Sequence, residues 1–243
     1  MEIEGCPLPE DRLYDLENDV WWAPEDGGAT ARLGVLGTLT AFAGLFTSLT
    51  FRPVEGWVAR GRSVATVEST RFTGAIRLPV DAEILERNPT VAERPRLVND
   101  APYGEGWIVR VRPALLEDVP RYLERPEQVA ERLGERIRRQ RIRCWPAVPD
   151  VDLFEIGVEC SAVLTMLNEE LARRPNGTHV LLVTDDPTSP IEMVRWSDQT
   201  GHPVRAYRRE GTLHQFLVRK EAHPTPRRRG AGGVGTGPET AHP

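Results

Sequence analysis

The sequence predicts two folded domains, a mainly-β domain followed by a smaller α/β domain. Between residues 13 and 113, short strand-like runs are separated by turn residues, a pattern typical of a β-sandwich or barrel. Between residues 150 and 220, apolar runs alternate with amphipathic helical stretches. A chain of 243 residues has room for two such domains. We therefore divide it into an N-terminal tail (1–12), a β domain (13–113), a helical basic linker (114–149), an α/β domain (150–220) and a disordered tail (221–243).

The strands of the first domain follow one another at short intervals. Residues 56–61 predict a turn, because they carry Gly56 and Gly61. Residues 33–51 contain no charged side chain over about the length of a membrane span, but their many glycines and threonines favour strand, turn and strand over a transmembrane helix. The predicted strands are 19–22, 29–37, 45–53, 63–69, 74–79 and 83–86.

The linker and the second domain have helical periodicity. In residues 127–141, Val129, Leu133 and Ile137 recur at about one helical turn, and Pro146 and Pro149 follow the helix. The second domain has Gly177 and Gly201 where its two helices end. It is predicted to contain strands at 151–156, 178–184, 204–208 and 213–219, and helices at 161–174 and 191–200.

Composition limits the classes of function. The net charge of −5 argues against bulk nucleic-acid binding, and a solvated face is the favoured interpretation of the linker arginines. Three cysteines are too few for a disulfide framework, and their odd number leaves at least one unpaired. We interpret Cys6 as a tail residue and Cys144 as an ordinary linker residue. No secretory signal is recognisable, so we expect a cytoplasmic protein without a membrane or nucleic-acid partner.

Residues 13–113 resemble the glycine cleavage H-protein family. The block VNDAPYGEGW at 98–107 is close to the most recognisable block of that family, and Asn88 also fits. The opening residues 5–15 are nearer to H-like lipoate-binding proteins associated with sulfur oxidation. The resemblance implies a barrel-sandwich hybrid fold with a hairpin that carries lipoate on a lysine.

This chain departs from the H-protein pattern at the cofactor position. Val67-Glu68-Ser69 precedes the lipoyl position by two residues, which places Arg71 where the family has its lysine. A guanidinium is always charged and poorly nucleophilic, so we expect no covalently bound cofactor here. Arg71 is either a solvated hairpin residue or a donor to an anionic partner group.

A second departure follows Gly37, where acidic residues are missing. The chain offers Leu39, Phe42, Leu45 and Phe46 instead. These side chains either fill the core or form an apolar patch for a partner.

The second domain contains a candidate reactive thiol at Cys160. The cysteine precedes a predicted helix, where the helix dipole and unpaired N–H groups stabilise a thiolate and lower its pKa. Gly157-Val158-Glu159-Cys160, together with Thr184-Asp185-Asp186-Pro187 and Trp196, resembles the TusA-like (SirA-like) sulfur-carrier family. That resemblance implies a two-layer α/β sandwich and a cysteine that carries sulfur as a persulfide. The family has prolines one and three positions after the cysteine, where this chain has Ser161 and Val163.

Other candidate sites have simpler interpretations. Asp185 and Asp186 stand between a strand and a proline, which favours a turn and helix-start role. No Cys/His spacing matches a metal site.

These observations favour a sulfur-trafficking protein, closer to a sulfur carrier or sulfurtransferase than to a classical enzyme. A non-lipoylated H-like docking module would precede a TusA-like domain that carries sulfur on Cys160. The partners would be sulfur donor and acceptor proteins, among them lipoylated or lipoate-dependent proteins, so that lipoate would be supplied by a partner. Two alternatives stay open: an interaction or regulatory protein in which both carrier positions are degenerate, and a divergent glycine cleavage H protein.

Overall fold

The structure is a computed structural model that describes residues 1–222 of the chain. The chain divides into two compact units, one from Met1 to Asp152 and one that begins at Leu153. Apart from Glu221 and Ala222, the tail predicted to be disordered (221–243) lies outside the described residues.

The first unit is built mainly from short strands. The predicted strands are confirmed within a few residues at each end, whereas 56–58, predicted as part of a turn, form a strand. The strands are β1 Glu2–Ile3, β2 Cys6–Pro7, β3 Leu13–Asp15, β4 Val20–Glu25, β5 Thr30–Val35, β6 Phe46–Phe51, β7 Gly56–Val58, β8 Ser63–Ser69, β9 Thr73–Arg77, β10 Ala82–Arg87 and β11 Val109–Pro113. The helices are α1 Gly37–Ala43, α2 Pro89–Glu93, α3 Leu97–Asp100, α4 Val119–Tyr122 and α5 Pro126–Gln140.

Two open sheets of this unit share one core. The larger sheet has the strand order β3-β4-β5-β11-β10-β7, and the smaller has β6-β8-β9. Side chains from both sheets, such as Trp22 and Leu33 from one and Val67 and Ile76 from the other, lie in a single buried cluster. The barrel closure implied by the hybrid fold is not observed among the described residues, since no strand of one sheet pairs with a strand of the other.

A helix occupies the place where the sequence predicts a turn between two strands. The helix α1 begins after Leu36 and ends at Gly44, whose φ of 77° suits glycine. The Gly37 backbone N–H donates to the Tyr103 hydroxyl at 3.0 Å, so a distant residue satisfies one of the unpaired N–H groups at the helix start. Threonines have low helix propensity, and tertiary contacts override it here. No helix in residues 1–222 is long and apolar enough to cross a membrane.

A second core joins the N-terminus to α5. Leu8, Trp21 and Leu36 are buried together with Val129, Leu133 and Ile137 of α5, as the helical spacing predicts. The backbones of Tyr14 and Glu124 exchange two hydrogen bonds, at 2.8 and 2.9 Å. The residues predicted as tail (1–12) and linker (114–149) therefore lie within the first compact unit.

The cysteine prediction is wrong for two of the three residues. Cys6 and Cys144 form a disulfide with an S–S distance of 2.11 Å, across a sequence separation of 138 residues. This pair could not be predicted from the sequence, because the two cysteines are far apart in the chain. The segment that follows α5 runs close to β2. The Cα atoms of Cys6 and Cys144 therefore lie 5.1 Å apart, within the range that a disulfide spans.

The basic face of α5 is paired in part with acidic residues of the same unit. Arg132 contacts Glu124, and Arg138 contacts Glu4. The less exposed Arg136 bonds Asp19 at 2.6 Å and also donates to the Leu16 carbonyl. These contacts favour the solvated, amphipathic interpretation of the helix over a nucleic-acid surface.

The second unit holds two helices and a four-stranded sheet of order β12-β13-β15-β14, whose strand β12 begins two residues before the boundary between the units. Helix α6 contacts α7 and β13, and α7 contacts β14. The elements agree with the sequence prediction, with α6 and α7 beginning one and two residues early. They are β12 Val151–Glu155, α6 Cys160–Arg173, β13 His179–Thr184, α7 Ser189–Thr200, β14 Val204–Glu210 and β15 Leu213–Arg219.

Candidate functional site

The candidate site of the first unit is the tip of the hairpin formed by β8 and β9. The strands pair antiparallel, with Glu68 opposite Thr73 as their last pair before the tip. The Ser69 N–H donates to the Phe72 carbonyl at 2.8 Å and closes a four-residue turn. Arg71 is exposed in this turn, so the residue at the predicted cofactor position is at the hairpin tip.

The Arg71 side chain folds back onto the end of α1. Its Nε donates to the Ala43 carbonyl at 3.3 Å, and the Ser69 hydroxyl donates to the same oxygen at 2.7 Å. The last carbonyls of a helix lack intrahelical partners and carry the negative end of its dipole, so a cation is favoured there. The guanidinium also packs against Gly44, where an added Cβ would lie 3.1 Å from Nε.

The segment that receives Arg71 is held by Asn99 from the block at 98–107. The Asn99 Nδ2 donates to the Gly44 carbonyl at 2.9 Å, and its Oδ1 accepts from the Phe46 N–H at 2.8 Å. Only 4% of Asn99 is exposed. Through Asn99, the block at 98–107 therefore holds in place the segment against which the Arg71 side chain packs.

The other residues of that block support the same region. The Pro102 carbonyl accepts from Trp21 Nε1 at 2.9 Å, and Tyr103 holds the start of α1. Gly106 has backbone oxygens within 2.8 Å of where a Cβ would stand, which leaves no room for another residue. Asn88, which also fits the block, donates to the carbonyls of Glu105 and Trp107.

The apolar residues after Gly37 divide between core and surface. Phe46 is buried in the core, and Leu39 packs against it. Phe42 is 45% exposed and meets Phe72 edge to face, with ring centroids 6.4 Å apart. An exposed aromatic side chain and Arg71 thus both adjoin the end of α1.

The single lysine of the chain lies in the second unit. The Lys220 Nζ donates to the Arg174 carbonyl at 2.6 Å, just past the end of α6. It is not part of the β8–β9 hairpin.

Cys160 is the first residue of α6, which begins one residue before the predicted start at Ser161, but its environment differs from the one expected. The Cys160 backbone N–H donates to Asp186 Oδ2 at 2.9 Å, so a carboxylate already occupies this helix start. The Cys160 residue is 7% exposed. Burial, followed by the negative charge of Asp186, raises the pKa of the thiol, although a hydrogen bond with Thr188 opposes this.

The expectation of a lowered thiol pKa is therefore wrong. Burial disfavours the thiolate most, and the carboxylate of Asp186, which already accepts from the Cys160 N–H, adds a negative charge beside it. Asp186 also accepts from the N–H and the hydroxyl of Thr188, at 2.7 and 2.6 Å. The predicted turn and helix-start role of this aspartate is confirmed. The pairing of Asp186 with Cys160 could not be found from the sequence, because 26 positions separate them.

No group of three or more His, Cys, Asp or Glu side chains in residues 1–222 is arranged to hold a metal ion.

The comparisons with known proteins concern the first unit. The family described as "Glycine cleavage H-protein" matches residues 12–136. The chain is 36% identical over 143 residues to glycine cleavage system H protein 2 of Aquifex aeolicus, covering 59% of this chain and 88% of that protein. It is 38% identical over 147 residues to H protein 5 of the same organism, covering 59% and 98%.

A solved structure is also similar to this chain. The glycine cleavage system H protein of Mycobacterium marinum is 25% identical, with a TM-score of 0.46, and the match covers 52% of this chain and 99% of that one. The family match ends at Arg136. The resemblance of the second unit to TusA-like proteins stays a prediction.

Proposed function

Because the chain belongs to the glycine cleavage H-protein family, we propose that its first unit is a docking module that carries no lipoyl arm. In this family lipoate is attached to a lysine, and the resemblance places that position at Arg71. The guanidinium of Arg71 cannot form the required amide under the conditions in which a lysine amine does. The module would bind lipoate-dependent enzymes through the surface around the hairpin.

One observation carries this proposal: Arg71 is integrated into its surroundings. Its side chain bonds the Ala43 carbonyl, its N–H donates to the Ser69 hydroxyl at 3.3 Å, and Gly44 lies against it. The hairpin keeps a defined tip although the acylation site is missing. Retained geometry without the reactive group supports binding rather than acyl carriage.

The first experiment tests the absence of the arm. The full chain is incubated with lipoate ligase, ATP and lipoate, and its intact mass is compared with that of a lipoylated H protein treated in parallel. We expect no lipoyl mass on this chain. A stoichiometric lipoyl adduct on Lys220 would contradict the proposal and favour a divergent glycine cleavage H protein.

The second experiment tests docking. The chain is added in excess to a lipoylated H protein and a lipoate-dependent enzyme of glycine cleavage, and the turnover of the arm is followed. We expect competitive inhibition that weakens on Phe42→Asp, because a charge at this exposed position disturbs an apolar contact. Trp57→Asp, on the exposed edge strand β7, is the matched control. Absence of inhibition, or equal loss in both variants, would contradict docking at the hairpin.

A second candidate function is sulfur carriage on Cys160. It is supported by the location of Cys160 at the first turn of α6, separated by four residues from the end of strand β12, in a unit with two helices and a four-stranded sheet. Sulfur donor and acceptor proteins would then be the partners of this unit. The raised pKa of the thiol counts against a resting thiolate, so access of a donor would have to coincide with displacement of Asp186.

The test of carriage is mass spectrometry after exposure to a low-molecular-weight persulfide. The Cys160 thiolate would attack the outer sulfur of the donor and release the donor thiolate, adding one sulfur atom to the protein. We expect the adduct in the wild type and not in Cys160→Ala. Equal adducts in both proteins would exclude Cys160 as the carrier, and the alternative of a degenerate, regulatory unit would then be favoured.

The disulfide bears on the cytoplasmic location that the sequence predicts. Disulfides such as Cys6–Cys144 persist mainly in oxidising compartments. That disulfide counts against a strongly reducing environment.

A further inference from the structure

A groove of about 440 Å³ lies in the second unit, between α7 and the sheet. Its floor includes the buried Met193 and Phe216, and its rim includes Val194 and Tyr207. Val194 is 61% exposed and Tyr207 is 47% exposed. The groove therefore offers apolar surface to a ligand without any rearrangement of the described residues.

The groove runs beside an open strand. In the order β12-β13-β15-β14, the strand β14 is at one end, and among the described residues no further strand pairs with it. It is seven residues long, from Val204 to Glu210. An edge strand exposes alternate backbone N–H and C=O groups, and these are a template for another strand.

Tyr207 belongs both to the open edge strand β14 and to the lining of the groove. It is paired with Phe216 on β15, their rings stack with centroids 5.0 Å apart, and both line the groove. The Tyr207 hydroxyl also bonds His214 Nδ1 at 2.8 Å, which holds the ring in place. A strand added to β14 would lay every second side chain against this fixed aromatic surface.

The charge of the edge selects the kind of strand. Arg205 and Arg209 are exposed on β14, on either side of Tyr207. Residues 204–210 contain three arginines and one glutamate, although the whole chain has a net charge of −5. Carboxylates are the groups that guanidinium side chains bind best.

The same charge argues against two other occupants. A second copy pairing through β14 would bring the arginines of both strands together, which is unfavourable. Residues 223–243 contain Arg227, Arg228 and Arg229 and no apolar run, so their sequence complements neither the arginines of β14 nor the apolar surface of the groove.

We propose that β14 and the groove beside it bind an extended, acidic peptide segment of a partner protein by strand addition. The backbone of the peptide would pair with β14, its apolar side chains would enter the groove beside Tyr207, and its carboxylates would bind Arg205 and Arg209. This inference is independent of the proposed function of the first unit. It assigns a binding role to the second unit whether or not Cys160 carries sulfur.

The experiment uses the full chain and a fluorescein-labelled peptide of Glu-Val repeats. The first control is a Lys-Val peptide, and the second is a Glu-Val peptide whose amides are N-methylated on one edge. We expect saturable binding of the Glu-Val peptide alone, with slower hydrogen exchange of the β14 amides in the complex. Equal binding of either control peptide, or no change of exchange in β14, would overturn the proposal.

Protein variants locate the site. Arg205→Glu with Arg209→Glu should weaken binding roughly tenfold, as expected for the loss and reversal of two exposed ion pairs. Arg173→Glu with Arg174→Glu, which makes the same charge change at two exposed positions at the end of α6, is the control and should bind like the wild type. An equal loss in the control would overturn the assignment of the site.

Two further measurements separate the other occupants. Sedimentation of the free chain should show a species whose size does not change in the double arginine variant. Removal of residues 223–243 should leave the peptide affinity within about twofold, a difference smaller than that of a single exposed ion pair. A dimer that depends on these arginines, or peptide binding only after the truncation, would overturn the proposal.

Discussion

Arg71 Nε donates a hydrogen bond to the Ala43 carbonyl at 3.3 Å, which joins the hairpin tip to the end of α1. The two residues are 28 positions apart, and Ser69 Oγ donates to the same oxygen. Arg71 therefore contributes to the local structure of the hairpin tip. This contact helps to fix the geometry of the hairpin tip.

Arg71→Lys should make the hairpin a substrate for lipoate ligase. Lysine has a methylene carbon where arginine has Nε, so its terminal amine is not held at the Ala43 carbonyl and can enter the ligase, while Ser69 still holds the turn. Intact mass after incubation with ligase, ATP and lipoate measures this. We expect one lipoyl group on the variant.

The matched control is Arg77→Lys, an exposed arginine on β9 away from the tip. It should remain unmodified. Lipoylation of both variants would show that any exposed lysine is accepted, and lipoylation of neither would show that the hairpin no longer fits the ligase.

The disulfide should contribute substantially to the stability of the first unit. Cys6→Ser with Cys144→Ser should lower the free energy of unfolding by about 2–5 kcal/mol, because the bond closes a long loop in the unfolded chain. Guanidinium unfolding measures the effect, and Cys160→Ser is the control. The wild type in reductant should match the double variant; an unchanged midpoint in reductant would contradict the disulfide.

Asn99→Ala should destabilise the first unit by about 2–4 kcal/mol. The change leaves the Phe46 N–H and the Gly44 carbonyl without their partner in a buried environment. Thermal or denaturant unfolding measures this. Thr47→Ala, an exposed neighbour whose hydroxyl bonds the Glu68 carbonyl at 3.3 Å, should change stability by less than about 0.5 kcal/mol. Similar effects of the two changes would contradict the supporting role of Asn99.

Asp186→Asn should lower the pKa of Cys160. The negative charge of Asp186 helps to raise that pKa, and the amide oxygen can still accept from the Cys160 N–H. The pH profile of iodoacetamide labelling should therefore move to lower pH. Burial, the largest cause of the raised pKa, is unchanged, so the shift is partial.

Asp185→Asn is the control for this prediction. Asp185 accepts from the Gly157 N–H at 2.7 Å and is not among the causes of the raised thiol pKa. Its labelling profile should match the wild type. An equal shift in both variants, or a shift to higher pH in Asp186→Asn, would contradict the role assigned to Asp186.

The sequence predicted those elements whose pattern is local. Strands such as β8 and helices such as α5 and α6 have their apolar residues at the period of the element, and their ends have glycine or proline nearby. The block at 98–107 and the arginine at position 71 are also recognisable in the sequence alone. The family membership and the absence of a lysine at the hairpin tip follow from these residues.

Tertiary structure decided the features that depend on residues far apart in the chain. Helix α1 forms among residues of low helix propensity because Tyr103 and Asn99 hold its ends. Cys6 reaches Cys144 because α5 packs against the N-terminal strands. Asp186, two residues after β13, reaches the start of α6, and burial together with the charge of Asp186 reverses the pKa shift that a helix start alone predicts for Cys160. Local periodicity determines which segments become strands and helices, whereas packing determines which polar groups meet, and the chemistry of both candidate sites depends on those meetings.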